Sequence, residues 1–367
     1  MKIGIAGNGK IVHEMIGATK NIQDLEIVAI CSRPQSRQKA EEIADKFNIA
    51  KIYTDYNQML EDGEIDFIYV AVANSVHYEY TKKALEAEKN VICEKPFTIT
   101  AKQTQELIDL AKAKNLFLFE AITILYAPNY QYIKENLEQI GQLRYVHANY
   151  AQYSSRYDRY LNKDVAPAFS PEHAGGALYD LNIYNLHFVM GVLGTPKEVI
   201  YRPNLGFNGI DISGTALLDY DDYTVVCSAA KDSESISGIV FQGEKGYMEL
   251  VGAPNACALV KVHKKGEEEI LINKEKYNSS ISPKENIKII KKICDKFIDT
   301  FDNPKEKNLL FIGNTGLGKT FMSNCIANEM LKRNKTVLYQ TAPIMLDSII
   351  DYKLGKSSNF NVLKNLL

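Results

Sequence analysis

The sequence predicts an α/β protein in three parts, each with its own pattern of strands and helices. Strand-like and helix-like runs alternate over residues 1–121, which is typical of a parallel sheet covered by helices. Over residues 122–278, strand-like runs follow one another with polar turns between them, which indicates a second domain built around a sheet. Residues 279–367 open with a lysine-rich helical pattern and continue with a glycine loop, so they predict a further α/β segment.

Composition excludes several classes of protein. The net charge of -2 gives no general attraction to nucleic acid or to anionic membranes. No apolar run approaches the roughly 20 residues that cross a bilayer, and the first residues do not read as a signal peptide. The cysteines are widely spaced, so we expect reduced core residues of a cytoplasmic protein and no metal site; they are Cys31, Cys93, Cys227, Cys257, Cys294 and Cys325.

The elements of the first part follow from their apolar runs. Lys2 to Ala6 is a short buried strand, and a helix from Lys10 to about Thr19 follows it directly. The pattern then predicts strands at 25–31, 66–73 and 90–93, and helices at 36–47 and 78–88. A sheet of this kind binds its ligands beyond the carboxyl ends of its strands, where the strand order reverses.

A glycine loop joins the first strand to the first helix. Gly7-Asn8-Gly9, continued by Lys10 and Ile11, lets backbone amides approach a pyrophosphate at the helix N-terminus. Val12 occupies the position of the third glycine in this motif, which predicts wider helix–strand packing or a shifted helix. The strand before the loop and the helix after it favour a Rossmann dinucleotide-binding domain over a plain structural turn.

The end of the second strand indicates which dinucleotide binds. An NAD enzyme usually has a carboxylate there, but Glu26 stands at the opposite end of the strand. Ser32, Arg33 and Arg37 follow the strand instead, and a hydroxyl with guanidinium groups suits a 2′-phosphate. The sequence therefore favours NADP(H) over NAD(H), and the alternative is that Arg33 is a solvated loop charge.

Two motifs supply candidate acid–base groups. Glu94-Lys95-Pro96 follows the strand at 90–93, where Lys95 would reach a substrate oxygen beside the nicotinamide and Pro96 would fix the direction of the chain. Asp180 and Tyr184 lie four residues apart on one predicted helical face, with His187 three residues further on. The structural alternatives are a solvated lysine, a helix-capping aspartate and a tyrosine that packs in the core.

Residues 1 to about 278 resemble the Gfo/Idh/MocA oxidoreductases. The resemblance rests on the glycine loop, on Asn74-Ser75-Val76-His77, on Glu94-Lys95-Pro96, and on Gly175-Gly176 followed by Asp180. It implies an N-terminal Rossmann domain joined to an α+β domain with an open-faced mixed sheet. It further implies oxidation or reduction of sugars, polyols and related cyclic alcohols, and a homodimer formed through the exposed face of the sheet.

The resemblance also assigns roles to residues. It makes Lys95 and Tyr184 the acid–base pair, with Asp180 orienting Lys95 or a substrate hydroxyl. Tyr184 stands where many members have histidine, as in the glucose–fructose oxidoreductase and dimeric dihydrodiol dehydrogenase branch, and Ala73 replaces a typical proline. Further cofactor contacts are expected from Ala73, Asn74, His77 and Glu94, and substrate contacts from Arg156, Tyr157 and His187. Tyr153, Arg156, Tyr157 and Arg159 form a basic–aromatic cluster, for which a solvated loop is an equally fair interpretation.

The third part contains a complete phosphate-binding loop between a predicted strand and a predicted helix. In a P-loop enzyme Lys319 would hold the β- and γ-phosphates of ATP and Thr320 would ligate Mg²⁺. The loop residues are Gly313, Gly316, Gly318, Lys319 and Thr320. The segment is similar to the first half of the ATPase module of bacterial helicase loaders of the DnaC type, so ATP with Mg²⁺ is a possible second ligand.

The acidic Walker B strand of that loader family would lie beyond Leu367, so we expect no ATP hydrolysis. The leading prediction is an NAD(P)-dependent oxidoreductase that acts on a small sugar or polyol. One alternative is a nucleotide-binding, loader-like fragment, for which nucleic acid or a helicase would be the partner. The other is a catalytically inactive chimeric fusion of two truncated genes.

Overall fold

The computed structural model describes residues 1–20 and 22–274, together with the isolated positions 299, 330, 332 and 333. Contacts divide the chain into two compact units, Met1–Ile281 and Ser282–Leu367, and nearly all of the described residues belong to the first. The predicted phosphate-binding loop at 313–320 lies outside the described residues. Its fold and its ATP and Mg²⁺ ligands therefore stay predictions.

The N-terminal domain is a doubly wound parallel sheet, as predicted. Its six strands pair in the order β3-β2-β1-β4-β5-β6, and every pair is parallel. The strands are β1 (Lys2–Ala6), β2 (Glu26–Cys31), β3 (Lys51–Tyr53), β4 (Phe67–Val70), β5 (Asn90–Cys93) and β6 (Leu118–Glu120). The helices are α1 (Lys10–Thr19), α2 (Arg37–Phe47), α3 (Tyr56–Leu60), α4 (His77–Glu86) and α5 (Ala101–Lys114). The strand order reverses between β1 and β4, which places a ligand site at their carboxyl ends.

The differences from the predicted elements have local causes. The strands β3 and β6 have three residues each, too few for a hydrophobic period to show, and sequence reasoning missed them together with α3 and α5. Residues Pro34–Ser36 form a 3₁₀ turn, so α2 begins at Arg37. The predicted strand at 66–73 pairs only as far as Val70, after which the chain turns along the ligand groove.

The second domain is an eight-stranded mixed sheet, which confirms the α+β expectation. The order is β14-β13-β12-β11-β7-β10-β9-β8, and β7 pairs with β10 in parallel while the other neighbours are antiparallel. The strands are β7 (Leu143–Ala151), β8 (Glu198–Leu205), β9 (Asp211–Asp219), β10 (Thr224–Ala230), β11 (Gly238–Gly243), β12 (Gly246–Val251), β13 (Leu259–Lys264) and β14 (Ile270–Ile272). The helices are α6 (Pro128–Asn136), α7 (Tyr157–Leu161) and α8 (Ile183–Leu193).

The core of this domain lies on one side of the sheet. Phe188 of α8 and Ile133 of α6 pack against strand residues such as Val146 and Phe241, all of them fully buried. Burying apolar side chains of this size stabilises a fold by about 1.5–3 kcal/mol each. The helices therefore cover one face and leave the other face open, since Ile200 and Leu217 on adjacent strands are 41% and 39% exposed.

The burial of the cysteines and the length of the helices bear on two expectations from the sequence. Cys31, Cys93, Cys227 and Cys257 are buried, as expected for core residues. No helix among the described residues has the length and apolar character needed to cross a membrane.

Candidate active site

A groove runs along the carboxyl ends of β1, β2 and β4 and has a volume of about 600 Å³. Gly7 lines it with φ at 125°, and a Cβ there would lie 2.2 Å from the carbonyl oxygen of Ala71. A Cβ on Gly9 would meet nothing within 4 Å, so the N-terminus of α1 faces open space. The groove thus offers backbone amides and a helix dipole to a pyrophosphate, as the motif predicted. Val12, at the third glycine position, is fully buried in the core.

The groove ends beside the 3₁₀ turn that follows β2. Ser32 and Arg33 line it there, and the Asn8 side-chain amide donates to the Ser36 carbonyl at 3.0 Å, tying the glycine loop to this turn. None of the described residues that line the groove is acidic, and Glu26 lies at the far end of β2. The groove therefore fits a dinucleotide, with a basic and hydroxyl environment near the expected ribose.

Several predicted cofactor residues do not line this groove. Lys10 is 92% exposed and pairs with Glu14 at 3.2 Å, and Ile11 beside it is also exposed. Arg37 pairs with Glu41 at 2.8 Å, one turn along α2. The reason is geometric, because side chains on the outer faces of α1 and α2 point away from the strand ends. Ala73 lies on the groove as predicted.

Asn74, His77 and Glu94 connect the loops around the groove and do not line it. The Asn74 amide donates to the Ala174 carbonyl at 3.0 Å. His77 is buried between the Pro96 carbonyl, 2.8 Å from Nδ1, and the Val72 carbonyl, 3.3 Å from Nε2, and burial lowers its pKa. Glu94 accepts the Lys95 backbone amide at 3.2 Å and the Tyr69 hydroxyl, and burial raises its pKa. His77 and Glu94 thus hold the loop that carries Lys95, while Asn74 ties its own loop to Ala174.

The structure brings Lys95, Asp180 and Tyr184 together. Lys95 follows β5, and its Nζ lies 3.1 Å from the Asp180 carbonyl oxygen, 3.4 Å from Asp180 Oδ1 and 4.8 Å from the centre of the Tyr184 ring. Asp180 sits in a π-helical turn, Leu178–Asn182, that leads into α8. Turns of this type interrupt the regular α-helical ladder and are frequent at functional sites. Asp180 is thus no simple helix cap.

Sequence reasoning missed Lys231, which directly follows β10. Its side chain is 3% exposed, and its Nζ donates to Asp180 Oδ2 at 2.7 Å and to the Ala168 carbonyl at 2.6 Å. The two oxygens of Asp180 therefore face two different lysines. A strand-end lysine looks like a solvated charge in the sequence, so the only signal was its position at the carboxyl edge of a predicted strand.

The charges of this cluster shift one another's pKa values. Burial alone would lower the pKa of Lys95, but the nearby Tyr184, Asp180 and Glu94 outweigh it and raise that pKa. Burial alone would raise the pKa of Asp180, but the positive charges of Lys231 and Lys95 have the larger effect and lower it. Burial raises the pKa of Tyr184 and lowers the pKa of Lys231. At neutral pH the site therefore holds a carboxylate, a charged Lys95 and a neutral phenol.

These side chains border a cavity of about 260 Å³. Of the predicted substrate residues, only Arg156 lines it. Tyr157 instead stacks within an aromatic group, 5.9 Å from the Phe169 ring, and His187 lies 3.3 Å from Glu120. The cavity is lined by Lys95, Tyr150, Gln152, Ser154, Ser155, Arg156, Asp180, Leu181, Tyr184, Lys231 and Asn255.

Two family models match the chain. Residues 1–121 match the oxidoreductase family with an NAD-binding Rossmann fold, and residues 130–249 match the GFO/IDH/MocA C-terminal domain. The second match covers strands β7, β8, β9, β10 and β11 in full, together with α7 and α8.

Similar proteins include characterised oxidoreductases. The NADP(+)-dependent scyllo-inositol 2-dehydrogenase of Bacillus subtilis is 34% identical over 246 residues, 67% of this chain and 74% of that protein. The trans-1,2-dihydrobenzene-1,2-diol dehydrogenase of Xenopus tropicalis is 33% identical over 60% of this chain and 65% of its own length. The crystal structure of KijD10, a 3-ketoreductase from Actinomadura kijaniata, shares the fold, with a TM-score of 0.64 at 22% identity over 74% of this chain and 84% of that one.

Proposed function

This chain belongs to the GFO/IDH/MocA oxidoreductase family and is an NAD(P)-dependent oxidoreductase acting on CH–OH groups. On this basis we propose its substrate class, its cofactor preference and its catalytic residues. The substrate is a small sugar, polyol or related cyclic alcohol, or the corresponding carbonyl compound. The observation that carries this proposal is the contact of Lys95 with both Asp180 and Tyr184 beside a polar cavity.

NADP(H) is the preferred cofactor. Arg33 and the Ser32 hydroxyl border the groove where the adenosine ribose of a dinucleotide is expected, and no acidic residue among the described lining competes with a 2′-phosphate. An NAD enzyme needs a carboxylate at that position for the 2′-hydroxyl. The relatives from Bacillus subtilis and Hypocrea jecorina are named as NADP(+) enzymes, which supports the same choice.

The protein's own groups manage the proton. When bound, the nicotinamide supplies or accepts the hydride. Tyr184 is a neutral phenol that lines the cavity beside Lys95, whose charge opposes the rise that burial causes in the pKa of Tyr184, so it donates its phenolic proton to a substrate carbonyl oxygen during reduction. The Lys95 ammonium stabilises the negative charge that develops on the same oxygen. Asp180 orients Lys95, and Lys231 fixes Asp180 by binding its second oxygen.

The π turn that carries Asp180 is itself anchored to the sheet. Asn182 donates to the Cys227 carbonyl at 2.9 Å, and Asn185 donates to the Ser228 carbonyl at 2.9 Å. Both acceptors belong to β10, the strand that Lys231 directly follows. One strand therefore fixes both the carboxylate and the buried lysine that holds it, as preorganised catalysis requires.

A turnover assay tests this function. We expect the purified chain to oxidise NADPH with a carbonyl sugar, or to reduce NADP⁺ with scyllo-inositol, D-xylose or a trans-dihydrodiol. Lys95→Met should lower kcat by about 10²–10⁴-fold while NADPH still binds, because the lysine acts on the substrate oxygen. Absence of turnover in both directions over a broad panel of CH–OH and carbonyl compounds would contradict the proposal.

The open face of the mixed sheet supports a homodimer as the assembly. Ile200, Leu217 and Val226 form one row across three adjacent strands, and the first two are exposed. Apolar rows on an open sheet face mark interaction surfaces. Light scattering of the full chain should give twice the monomer mass, and Leu217→Glu should shift it toward monomer. A wild-type monomer at micromolar concentration would contradict this assembly.

A further inference from the structure

The substrate cavity has an excess of positive charge. Among the described residues that line it, Lys95, Lys231 and Arg156 are cationic, and Asp180 is the only carboxylate. Asp180 already contacts both lysines, so it cannot also neutralise Arg156. A partly enclosed cavity with one sign of charge in excess concentrates ligands of the opposite charge.

The backbone fixes Arg156 close to this cluster. Strands β7 and β10 are parallel neighbours, so their carboxyl ends reach the same edge of the sheet. The chain after β7 stays attached there, because the Gln152 backbone N–H donates to the Ala230 carbonyl at 2.9 Å and the Ser154 backbone N–H donates to the Lys231 carbonyl at 2.9 Å. Arg156 follows only two residues later, so its position relative to Lys231 is set by the sheet.

Arg156 also differs from its neighbour Arg159. Arg159 pairs with Asp164, 2.7 Å from its Nε, whereas the guanidinium of Arg156 pairs with no carboxylate in the described part of the chain. Arg156 is exposed at the cavity mouth, where a ligand can reach it. A guanidinium binds a carboxylate or a phosphate through two parallel hydrogen bonds, which neutral hydroxyl groups cannot match.

We propose that the substrate is a sugar or polyol derivative that carries an anionic group, a carboxylate or a phosphate, and that Arg156 binds this group. The proposal rests on the function proposed above, since the reacting carbon must face Lys95 and Tyr184 in the same cavity. A volume of about 260 Å³ is at the small end for ligand sites and fits one monosaccharide unit. A sugar acid is therefore the first candidate.

Matched substrates test the proposal. With NADP⁺ as cofactor, the assay compares the kcat/KM for D-glucuronate with that for D-glucose, and the kcat/KM for D-galacturonate with that for D-galactose. Hexose 6-phosphates are assayed in the same way and show whether the preferred anionic group is a phosphate or a carboxylate. We expect the kcat/KM for at least one anionic compound to be about tenfold or more above that for its neutral partner. Arg156→Gln should lower that ratio by roughly 10- to 100-fold, because a charge-assisted hydrogen bond is lost.

Controls separate the possible failures. Arg159→Gln removes a positive charge from the same helix but not from the cavity, so the anionic-to-neutral ratio should stay within about twofold. Circular dichroism and NADPH titration establish that Arg156→Gln is folded. Turnover in which the neutral partner is always preferred, or in which Arg156→Gln leaves the ratio unchanged, overturns the anionic substrate and leaves the oxidoreductase function standing. If no member of either class is turned over, the anionic substrate is overturned, and the oxidoreductase function is judged separately on the broad panel of alcohols and carbonyl compounds named above.

Discussion

Replacing Lys231 by methionine tests whether this buried lysine holds the catalytic carboxylate. Methionine keeps most of the volume of the side chain but removes its charge and its hydrogen bonds to Asp180 and Ala168. The variant leaves Asp180 with Lys95 as its remaining cation, 3.4 Å away. Both the stability of the domain and the pH dependence of catalysis should therefore change.

The expected loss in free energy of unfolding follows from the distance and burial of the Lys231–Asp180 pair. Two unit charges 2.7 Å apart attract by about 6 kcal/mol at an effective dielectric constant of about 20. Desolvation of the ammonium, which lowers the pKa of Lys231, offsets much of this attraction. Asp180 is 37% exposed and keeps contact with water, which reduces the loss further. We expect Lys231→Met to lower the free energy of unfolding by about 2 kcal/mol.

The pH dependence of this loss has a definite sign. Lys231 and Lys95 hold the pKa of Asp180 below its usual value, so the stabilisation is present above that usual value and is lost as pH falls through the lowered one. The difference in free energy of unfolding between wild type and variant should therefore be largest at neutral pH and should decrease in acid. The acid limb of the kcat/KM profile should move to higher pH in the variant, because the pKa of Asp180 rises.

Urea unfolding followed by circular dichroism measures the effect, because the chain has no tryptophan for fluorescence. A double-mutant cycle with Asp180→Asn isolates the pair, and we expect a coupling energy of about 2 kcal/mol. Lys83→Met is the matched control, since Lys83 pairs with Glu79 at 3.0 Å, both side chains are exposed, and the pair should couple by less than about 1 kcal/mol. A coupling below about 0.5 kcal/mol, with an unmoved pH profile, would refute the reasoning.

Three further substitutions test other parts of the site. Gly7→Ala should raise the Kd of NADPH at least about tenfold in a fluorescence titration, because its Cβ would lie 2.2 Å from the Ala71 carbonyl oxygen. Tyr184→Phe should lower kcat by about 10²–10⁴-fold without a comparable change in NADPH affinity, and an unchanged kcat would remove Tyr184 as the proton donor. Arg33→Gln should raise the KM for NADPH by roughly 10- to 100-fold with no comparable rise in the KM for NADH. An equal rise in both KM values would exclude a contact of Arg33 with the 2′-phosphate.

The phosphate-binding loop near the C-terminus needs a separate measurement. Its residues lie outside those the structure describes, so ATP binding at Lys319 and Thr320 is still a prediction from sequence. Titration of the full chain with ATP and Mg²⁺, with Lys319→Ala as the control, tests it directly. Binding that is the same in both chains would remove the loop as a ligand site.

Sequence alone determined the architecture and the identity of most groups in the site. Hydrophobic periodicity is a local property of the chain, so it located the longer alternating elements of the first domain and indicated a strand-rich second domain, while the short strands β3 and β6 escaped it. The glycine loop before α1 and Glu94-Lys95-Pro96 after β5 are contiguous motifs, and the doubly wound topology requires both to reach the carboxyl edge of one sheet. The grouping of Lys95 with Asp180 and Tyr184 came from the family resemblance, and the catalytic roles of the three residues stay predictions.

Only the tertiary structure decided which of the remaining polar residues face the site. Lys231 directly follows a strand of the second sheet, and the Asp180 that it binds is 51 positions away in the chain, so no local pattern links them. Arg156 lines the cavity while Tyr157 beside it packs against Phe169, and Arg37 pairs with Glu41 while Arg33 borders the groove. The physical reason is that side-chain direction and ion pairing depend on contacts between elements distant in sequence, which periodicity and motif spacing do not encode.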